Sequence, residues 1–381
     1  MTTITVLLCC WYFITKFQFS HAFSTSQSLL PTSYTHKMEQ DGNLKLFVQN
    51  LEEATKDEET MSEKITLREY LNDPRGFHLG IAPAFFGFYA YFGALIPFDE
   101  DLKLLPSYKK DPSEHPKLLK ALAGASAGAI VASFIAAGIS PRNAADYACQ
   151  FDLHSFADPP GFLGLFRGKE FENILQDCLD YERSEKHQNN FMIPNQIEDT
   201  FVPLAVTGFD ISTMKPKVIT YGNIAKAARA SASFPGLFQP VIIHDVEAQK
   251  KNRSIPSSIL IDGGVGDPFG LHGLFSLSTS YESETLPNRI VNLTLGKDKN
   301  KMRNTLYVSP SQLEAKIGAR IDSLVTINLI NTSQCGPGNM ENGPKVVEAC
   351  REAVLSSLDK PMAEGIENGH YELNIDVSMN Q

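Results

Sequence analysis

Apolar and polar positions along the chain follow two rhythms. Short apolar or β-branched runs bounded by Gly, Pro, Asn or Asp read as buried strands, and longer stretches with small or apolar residues three and four apart read as helices. Strand runs end at Gly124 and fall at Phe201–Thr207, Lys217–Tyr221, Ser258–Ile261, Arg289–Leu295 and Leu324–Leu329. The run from Gly124 to about Gly138 is small-residue and apolar, and reads as helix. Another helix is expected from Ser140-Pro141-Arg142, with Ser as N-cap and Pro in the first turn. Asn223–Ser233 and the amphipathic Lys345–Leu358 supply two more. Strands separated by helical patterns predict an α/β layered fold with a mostly parallel sheet.

The charge-free stretch Gly76–Phe98, 23 residues long, is the internal candidate for a membrane span. Its Gly and Pro content fits a buried strand, a turn and a buried helix better, and that is the expectation carried forward. Phe151–Phe166, with Pro159, Pro160 and Gly161 at its centre, reads as an irregular, greasy loop able to touch an apolar substrate or to pack as a surface loop.

The first 22 residues read as a leader, with an apolar core from Ile4 to Ile14 and a cleavage-like Ser20-His21-Ala22. Phe23–Met38 is rich in Ser and Thr and has no Asp or Glu. A leader followed by Phe and a hydroxylated, acid-poor segment resembles the bipartite plastid presequences of algae with complex plastids. A secreted or endoplasmic-reticulum protein fits nearly as well. Glu39–Tyr70 turns acidic and helical. The expected organisation is a signal at 1–22, an extension at 23–75, a core at 76–275, and a C-terminal region at 276–381 that completes the α/β domain.

With 43% hydrophobic residues the chain is globular in composition. Its formal charge of -10 argues against general nucleic-acid binding. Cys9 and Cys10 lie in the leader, while Cys149, Cys178, Cys335 and Cys350 are widely spaced, and a Cys335–Cys350 pair and free thiols both fit. No metal-ligand spacing and no dinucleotide or phosphate fingerprint appears, so neither metal nor cofactor is expected. Asn252, Asn292 and Asn331 begin glycosylation sequons, that of Asn292 inside an expected buried strand.

The chemistry concentrates at Gly124-Ala125-Ser126-Ala127-Gly128, a G-x-S-x-G pentapeptide between a strand and a helix. Such a turn lifts one hydroxyl clear of the backbone, requires Gly124 and Gly128 for close approach, and aims a helix N-terminus at any anion formed beside Ser126. A serine nucleophile needs a base and oxyanion donors. Asp262 ends an apolar strand and is followed by Gly263 and Gly264, which leave room above its carboxylate. The chain order also accommodates a triad of Ser126, Asp262 and either His370 or His272.

Taken together these blocks resemble the patatin-like phospholipase family. The G-x-S-x-G and D-G-G blocks are joined by Ala227–Pro240, similar to the family's A-R-A-S-x-x-x-P-x-x-F-x-P run, and the likeness covers about Phe77–Leu274. The resemblance implies a three-layer α/β fold and a lipid acyl hydrolase with Ser126 as nucleophile and Asp262 as general base, with no histidine. Its partners would be an acyl-glycerolipid substrate and, transiently, a membrane or lipid-droplet surface. The family's glycine-rich oxyanion loop is represented here by Gly80–Tyr89, in which only Gly87 falls on a loop glycine and Pro83 has no N–H. Oxyanion donors are therefore expected from the amides of Phe86, Gly87 and Ala127. That departure keeps a second expectation open, a catalytically weak lipid-binding protein on the same fold.

Overall fold

A computed structural model describes residues 65–184, 192–244, 258–280, 289–296, 310–317, 321–333, 335–365 and 367–378. These lie almost wholly within the unit Thr66–Gln381. The expected leader, the hydroxylated segment, nearly all of the acidic stretch and the Asn252 sequon fall outside the described residues.

The charge-free stretch folds as a strand, a turn and a buried helix. After α1 (Leu67–Leu71), β1 (Phe77–Ile81) is buried at every position, and α2 (Phe88–Glu100) is buried from Tyr89 to Phe98. Among the described residues no helix is long and apolar enough to cross a membrane. β2 (Leu119–Ala125) then runs directly into α3 (Ala127–Ala136), which stops before Gly138 at φ +82°. α4 (Pro141–Ala148) starts where the sequence places it, with the Ser140 hydroxyl accepting the Asn143 N–H at 3.2 Å.

The chain continues through β3 (Gly164–Phe166), α5 (Lys169–Ser184), β4 (Leu204–Asp210), β5 (Lys215–Ile219), α6 (Ile224–Ser231), β6 (Gly236–Phe238), β7 (Val241–Ile243) and β8 (Ser258–Ile261). It ends with α7 (His272–Ser280), β9 (Arg289–Leu295), α8 (Pro310–Ile317), β10 (Ser323–Ile330), α9 (Gly343–Leu355), β11 (Ala363–Glu364) and β12 (His370–Asp376). The strand expected at Phe201–Thr207 sits three residues later. Pro203 has no N–H to offer, and pairing with β2 begins at Leu204 opposite Leu122. Asp210 closes β4 and accepts the Ser212 N–H at 2.9 Å.

The main sheet has the order β11-β12-β10-β9-β1-β2-β4-β8-β7, with β5 also on β4. From β12 to β4 every neighbouring pair is parallel, and antiparallel pairs close both edges. Helices cover both faces, as a parallel sheet demands. Leu271, Leu274 and Leu277, on and just ahead of α7, pack on Ala121, Ala123, Ala205 and Ile290. α3 lies against β2 and β1, reached by the alternate side of β2.

The order in which strands are added positions the site. From β1 the chain builds outward through β2 and β4, then returns to the other side of β1 with β9 and continues through β10 and β12. In open α/β sheets the crevice for ligand lies beyond the carboxyl ends of strands near such a reversal. Here those ends are Ile81 and Ala125. Asn292, in the middle of β9, is buried and donates to the Gly80 and Phe269 carbonyls, so it is enclosed in the sheet rather than presented to solvent. The described cysteines Cys149, Cys178, Cys335 and Cys350 are free thiols.

Candidate active site

Ser126 stands at the turn from β2 into α3 with φ +54° and ψ −125°. An L-residue pays for that backbone with strain of about 1–3 kcal/mol, held only because the surroundings over-determine it. Those surroundings are tight. A Cβ on Gly124 would lie 2.4 Å from the Gly128 carbonyl oxygen, and one on Gly128 would lie 2.2 Å from that of Ile81. The two glycines let β2, α3 and the end of β1 meet at this point. The Ser126 N–H donates to the Ser231 hydroxyl at 2.9 Å, and that hydroxyl donates to the Thr207 carbonyl at 2.6 Å. α6, through Ser231, thus fixes the strained turn to β4.

Asp262 follows β8, and the structure brings it to Ser126. The Ser126 hydroxyl donates to Asp262 Oδ2 at 2.7 Å, while Oδ1 accepts the Gly264 N–H at 2.8 Å. The Asp262 N–H donates to the Ser233 carbonyl at 3.0 Å. Gly263 makes the approach possible, since a Cβ there would meet the Thr207 carbonyl oxygen at 1.9 Å. Both carboxylate oxygens are therefore oriented by neighbours on different elements. Burial pushes the Asp262 carboxyl from its ordinary value of 3.8 up to about 6, against the lowering pull of the Ser126 and Gly264 hydrogen bonds. The result is a carboxylate still ionised at neutral pH and more basic than an exposed one.

Among the described residues no histidine lines this cleft. His370 begins β12, at the amino end of a strand separated from β2 by β10, β9 and β1, and its Nε2 lies 3.2 Å from Thr326 Oγ1. His272 starts α7 and is exposed, and its amide donates to Asp267 Oδ2 at 3.0 Å. Of the acid and base candidates only Asp262 reaches the Ser126 hydroxyl.

The expected oxyanion donors divide. The Gly87 N–H donates to the Ala84 carbonyl at 3.1 Å, closing a turn before α2, so it is engaged. Phe86, at φ +54°, and Ala127 both line the cleft, and neither amide bonds another backbone group among the described residues. Ala127 is also the first residue of α3, where helix amides and the helix dipole favour an anion.

Above Ser126 and Asp262 the cleft is apolar, walled by Phe85, Phe88, Ile130, Phe156, Phe171 and Phe234 among others. The Phe151–Phe166 segment contributes Phe156 to that wall and leaves Phe162 and Leu163 exposed at its tip. β3 pairs with β6, whose Leu237 and Phe238 also face the cleft, so the exposed tip adjoins the mouth.

Arg229 organises this side, and the sequence pattern alone assigned it no role. It is buried, donates to the Gly168 carbonyl at 3.0 Å, to the Arg167 carbonyl, and to the Ser233 hydroxyl at 2.7 Å. Among the described residues it makes no ion pair, and burial lowers its pKa to about 10. Arg229 therefore connects the greasy segment to Ser233, whose carbonyl holds the Asp262 amide. Ser231 is likewise a residue that the run Ala227–Pro240 contains but whose bond to the Ser126 amide only the folded arrangement reveals.

Comparison with known proteins adds to this geometry. Among solved structures, the chain is similar to VipD from Legionella pneumophila, at 14% identity and a TM-score of 0.40, covering 76% of this chain and 67% of that one. It is also similar to full-length ExoU, solved with full-length SpcU, from the type III secretion system of Pseudomonas aeruginosa, at 16% identity and a TM-score of 0.37. The match to ExoU covers 76% of this chain and 53% of ExoU, so the chain spans about half of that protein's length. Residues 87–275 match the family model described as patatin-like phospholipase, a span that starts at the α2 turn and contains both the Ser126 elbow and Asp262. This segment of the chain is a patatin-like phospholipase family domain.

Proposed function

We propose that the protein is a lipid acyl hydrolase that cleaves acyl-glycerolipid esters through an acyl-enzyme on Ser126, with Asp262 as the general base. The observation that carries this reading is the 2.7 Å hydrogen bond from the Ser126 hydroxyl to a buried, oriented Asp262 carboxylate at the floor of an apolar cleft. In the first half-reaction Asp262 takes the Ser126 proton as Oγ attacks the ester carbonyl carbon. The oxyanion is met by the Ala127 amide at the α3 N-terminus and by the Phe86 amide in the turn before α2. The tetrahedral intermediate collapses, the alcohol leaves with the proton from Asp262, and the acyl group stays on Ser126. Water, deprotonated by the same aspartate, then attacks the acyl-enzyme, and the fatty acid leaves as Asp262 returns the proton to Ser126 Oγ.

The same family assignment and the exposed Phe85, Phe162 and Leu163 support contact with a lipid surface at the cleft mouth. The test is hydrolysis of phospholipids, galactolipids and p-nitrophenyl esters by the pure protein beside Ser126→Ala. We expect the variant to lose about four orders of magnitude in kcat/KM, and equal rates for the two proteins would refute the assignment.

The engaged Gly87 amide favours a second reading, a lipid-binding protein whose oxyanion site is too weak for turnover. Losing one such donor costs about 3 kcal/mol of transition-state stabilisation. Labelling with a fluorophosphonate separates the two: stoichiometric modification of Ser126 supports the hydrolase, and an inert serine in folded protein supports binding alone.

A further inference from the structure

A second cavity lies behind the Ser126 cleft, and its position is set by helix periodicity. Three helices contribute to both chambers, and on each the residue shared by the two is followed one turn later by a residue that faces only the second. Ile130 is followed by Phe134 on α3, Phe88 by Phe92 on α2, and Phe171 by Leu175 on α5. The second chamber is therefore one turn farther from Ser126, running alongside α3. Among the described residues its remaining walls, from α4 and the Phe151–Phe156 segment, bring no charged side chain. The Phe156 and Phe171 rings, edge to face with centroids 5.5 Å apart, stand in the shared wall, and Phe92 stacks on Phe134 at the far side with centroids 6.3 Å apart.

We propose that this chamber is the binding site for the distal part of the acyl chain, and that it sets chain-length preference. The inference rests on the hydrolase reading, which places the acyl carbonyl at Ser126. An apolar lining of this kind favours hydrocarbon over water. At rest it holds about 40 Å³ of free space, so a chain enters by turning the Phe156 and Phe171 rings aside. Counting along α3 from Ser126 to Phe134 gives a path of about 12 Å, matching an extended chain of roughly ten carbons. Chains shorter than about six carbons remain in the first chamber. Each further methylene buried contributes on the order of threefold to fourfold in kcat/KM until Phe134 and Phe92 are reached.

The experiment measures kcat/KM for p-nitrophenyl esters of four to twelve carbons, below their micellar concentrations, with wild type, Ile174→Phe and Phe134→Leu. Ile174 faces only the second chamber and is partly exposed, so a larger ring there fills space without replacing a core residue. The expected results are a wild-type ratio of ten-carbon to four-carbon rates of about a hundredfold or more, a ratio reduced at least tenfold in Ile174→Phe, and an optimum moved to longer chains in Phe134→Leu. A flat wild-type profile beyond six carbons, or variants that keep the wild-type ratio, would overturn the proposal while leaving the hydrolase reading intact. Calorimetric binding of decanoate and butyrate to Ser126→Ala and to Ser126→Ala/Ile174→Phe gives a readout without turnover. Preference for decanoate that is lost in the double variant supports the chamber even if no ester is hydrolysed, the outcome that would defeat the hydrolase reading. Equal affinity for the two acids in Ser126→Ala overturns the chamber assignment.

Discussion

Replacing Asp262 by Asn should remove activity and, above neutral pH, make the protein more stable. Burial raises the Asp262 carboxyl from 3.8 to about 6, so the folded protein binds this proton more tightly than the unfolded chain does. The favourable contribution is fully present below pH 3.8 and is lost as pH rises through about 6, where the buried group ionises. The upward shift of roughly two units corresponds to a penalty of about 3 kcal/mol at pH 8 and about half of that at pH 5. Asn is uncharged at every pH and has nearly the same volume. Its carbonyl can keep the Gly264 N–H, and its amide can donate to the Ser126 hydroxyl, which then serves as acceptor. The variant should therefore melt on the order of 5 °C higher than wild type at pH 8, with a gap that shrinks toward pH 5. Its kcat/KM should fall close to that of Ser126→Ala, because an amide cannot take the serine proton. In wild type the same ionisation should appear as an acid limb in kcat/KM, with an apparent pKa near 6 and a tenfold loss per pH unit below it. Differential scanning calorimetry at pH 5, 6.5 and 8, beside the pH–rate profile, measures both sides. A stability difference between the two proteins that does not change with pH, or an Asn variant less stable than wild type at pH 8, would refute the assignment of a raised carboxyl to Asp262.

Folded His370→Ala and His272→Ala proteins should keep kcat/KM within about threefold of wild type on a short-chain ester, whereas loss comparable to Ser126→Ala would restore a histidine base. Gly128→Ala should destabilise by more than about 3 kcal/mol, because the new Cβ meets the Ile81 backbone, and thermal melting checks it. Ser231→Ala should lower kcat more than it raises KM, since it frees the Ser126 amide without touching the acyl cleft; a pure KM effect on a soluble ester would count against that positioning role. Arg229→Met leaves the Arg167 and Gly168 carbonyls without their buried donor and should cost about 3 kcal/mol, with faster proteolysis near Pro159–Gly168 as the local readout.

Much of the fold was legible because the parallel strands are buried on both faces. β9 occupies the range that its apolar run predicts and β10 differs by one residue at each end, while the antiparallel, partly buried β8 also keeps its range. β12, next to the edge of the main sheet, and the two strands of the small second sheet were not legible. β12 reads His370-Tyr371-Glu372-Leu373-Asn374-Ile375-Asp376, an alternation interrupted by polar residues, and it becomes a strand through seven register positions against β10. β3 and β6 are three residues each and exist because Gly164 and Gly236 allow their backbones to pair across a loop. Such pairing is a tertiary choice that leaves a weak trace in local pattern.

The site divides in the same way. Gly124, Ser126, Gly128 and the Asp262-Gly263-Gly264 turn announce themselves because close backbone approach tolerates nothing larger, and that constraint is written into residue type. Which amide faces an oxyanion is not so written. Gly87 carries the right residue for a donor, yet its N–H closes a turn onto Ala84, because Pro83 and the Phe86 residue at φ +54° bring residues 84–87 around on themselves. Direction of a backbone N–H depends on two dihedral angles that a sequence motif constrains only where the full set of glycines is present. The Ser231 and Arg229 links follow the same logic, since both act through carbonyls and amides that any residue would supply. If the hydrolase reading holds, its oxyanion stabilisation must come mainly from Ala127, fixed by the α3 N-terminus, and from the strained Phe86 amide. A Phe86→Gly variant would then relax the loop at no steric cost and should lower kcat by about tenfold or more while leaving fluorophosphonate labelling of Ser126 detectable. Unchanged kcat in that variant would move the second donor away from residue 86.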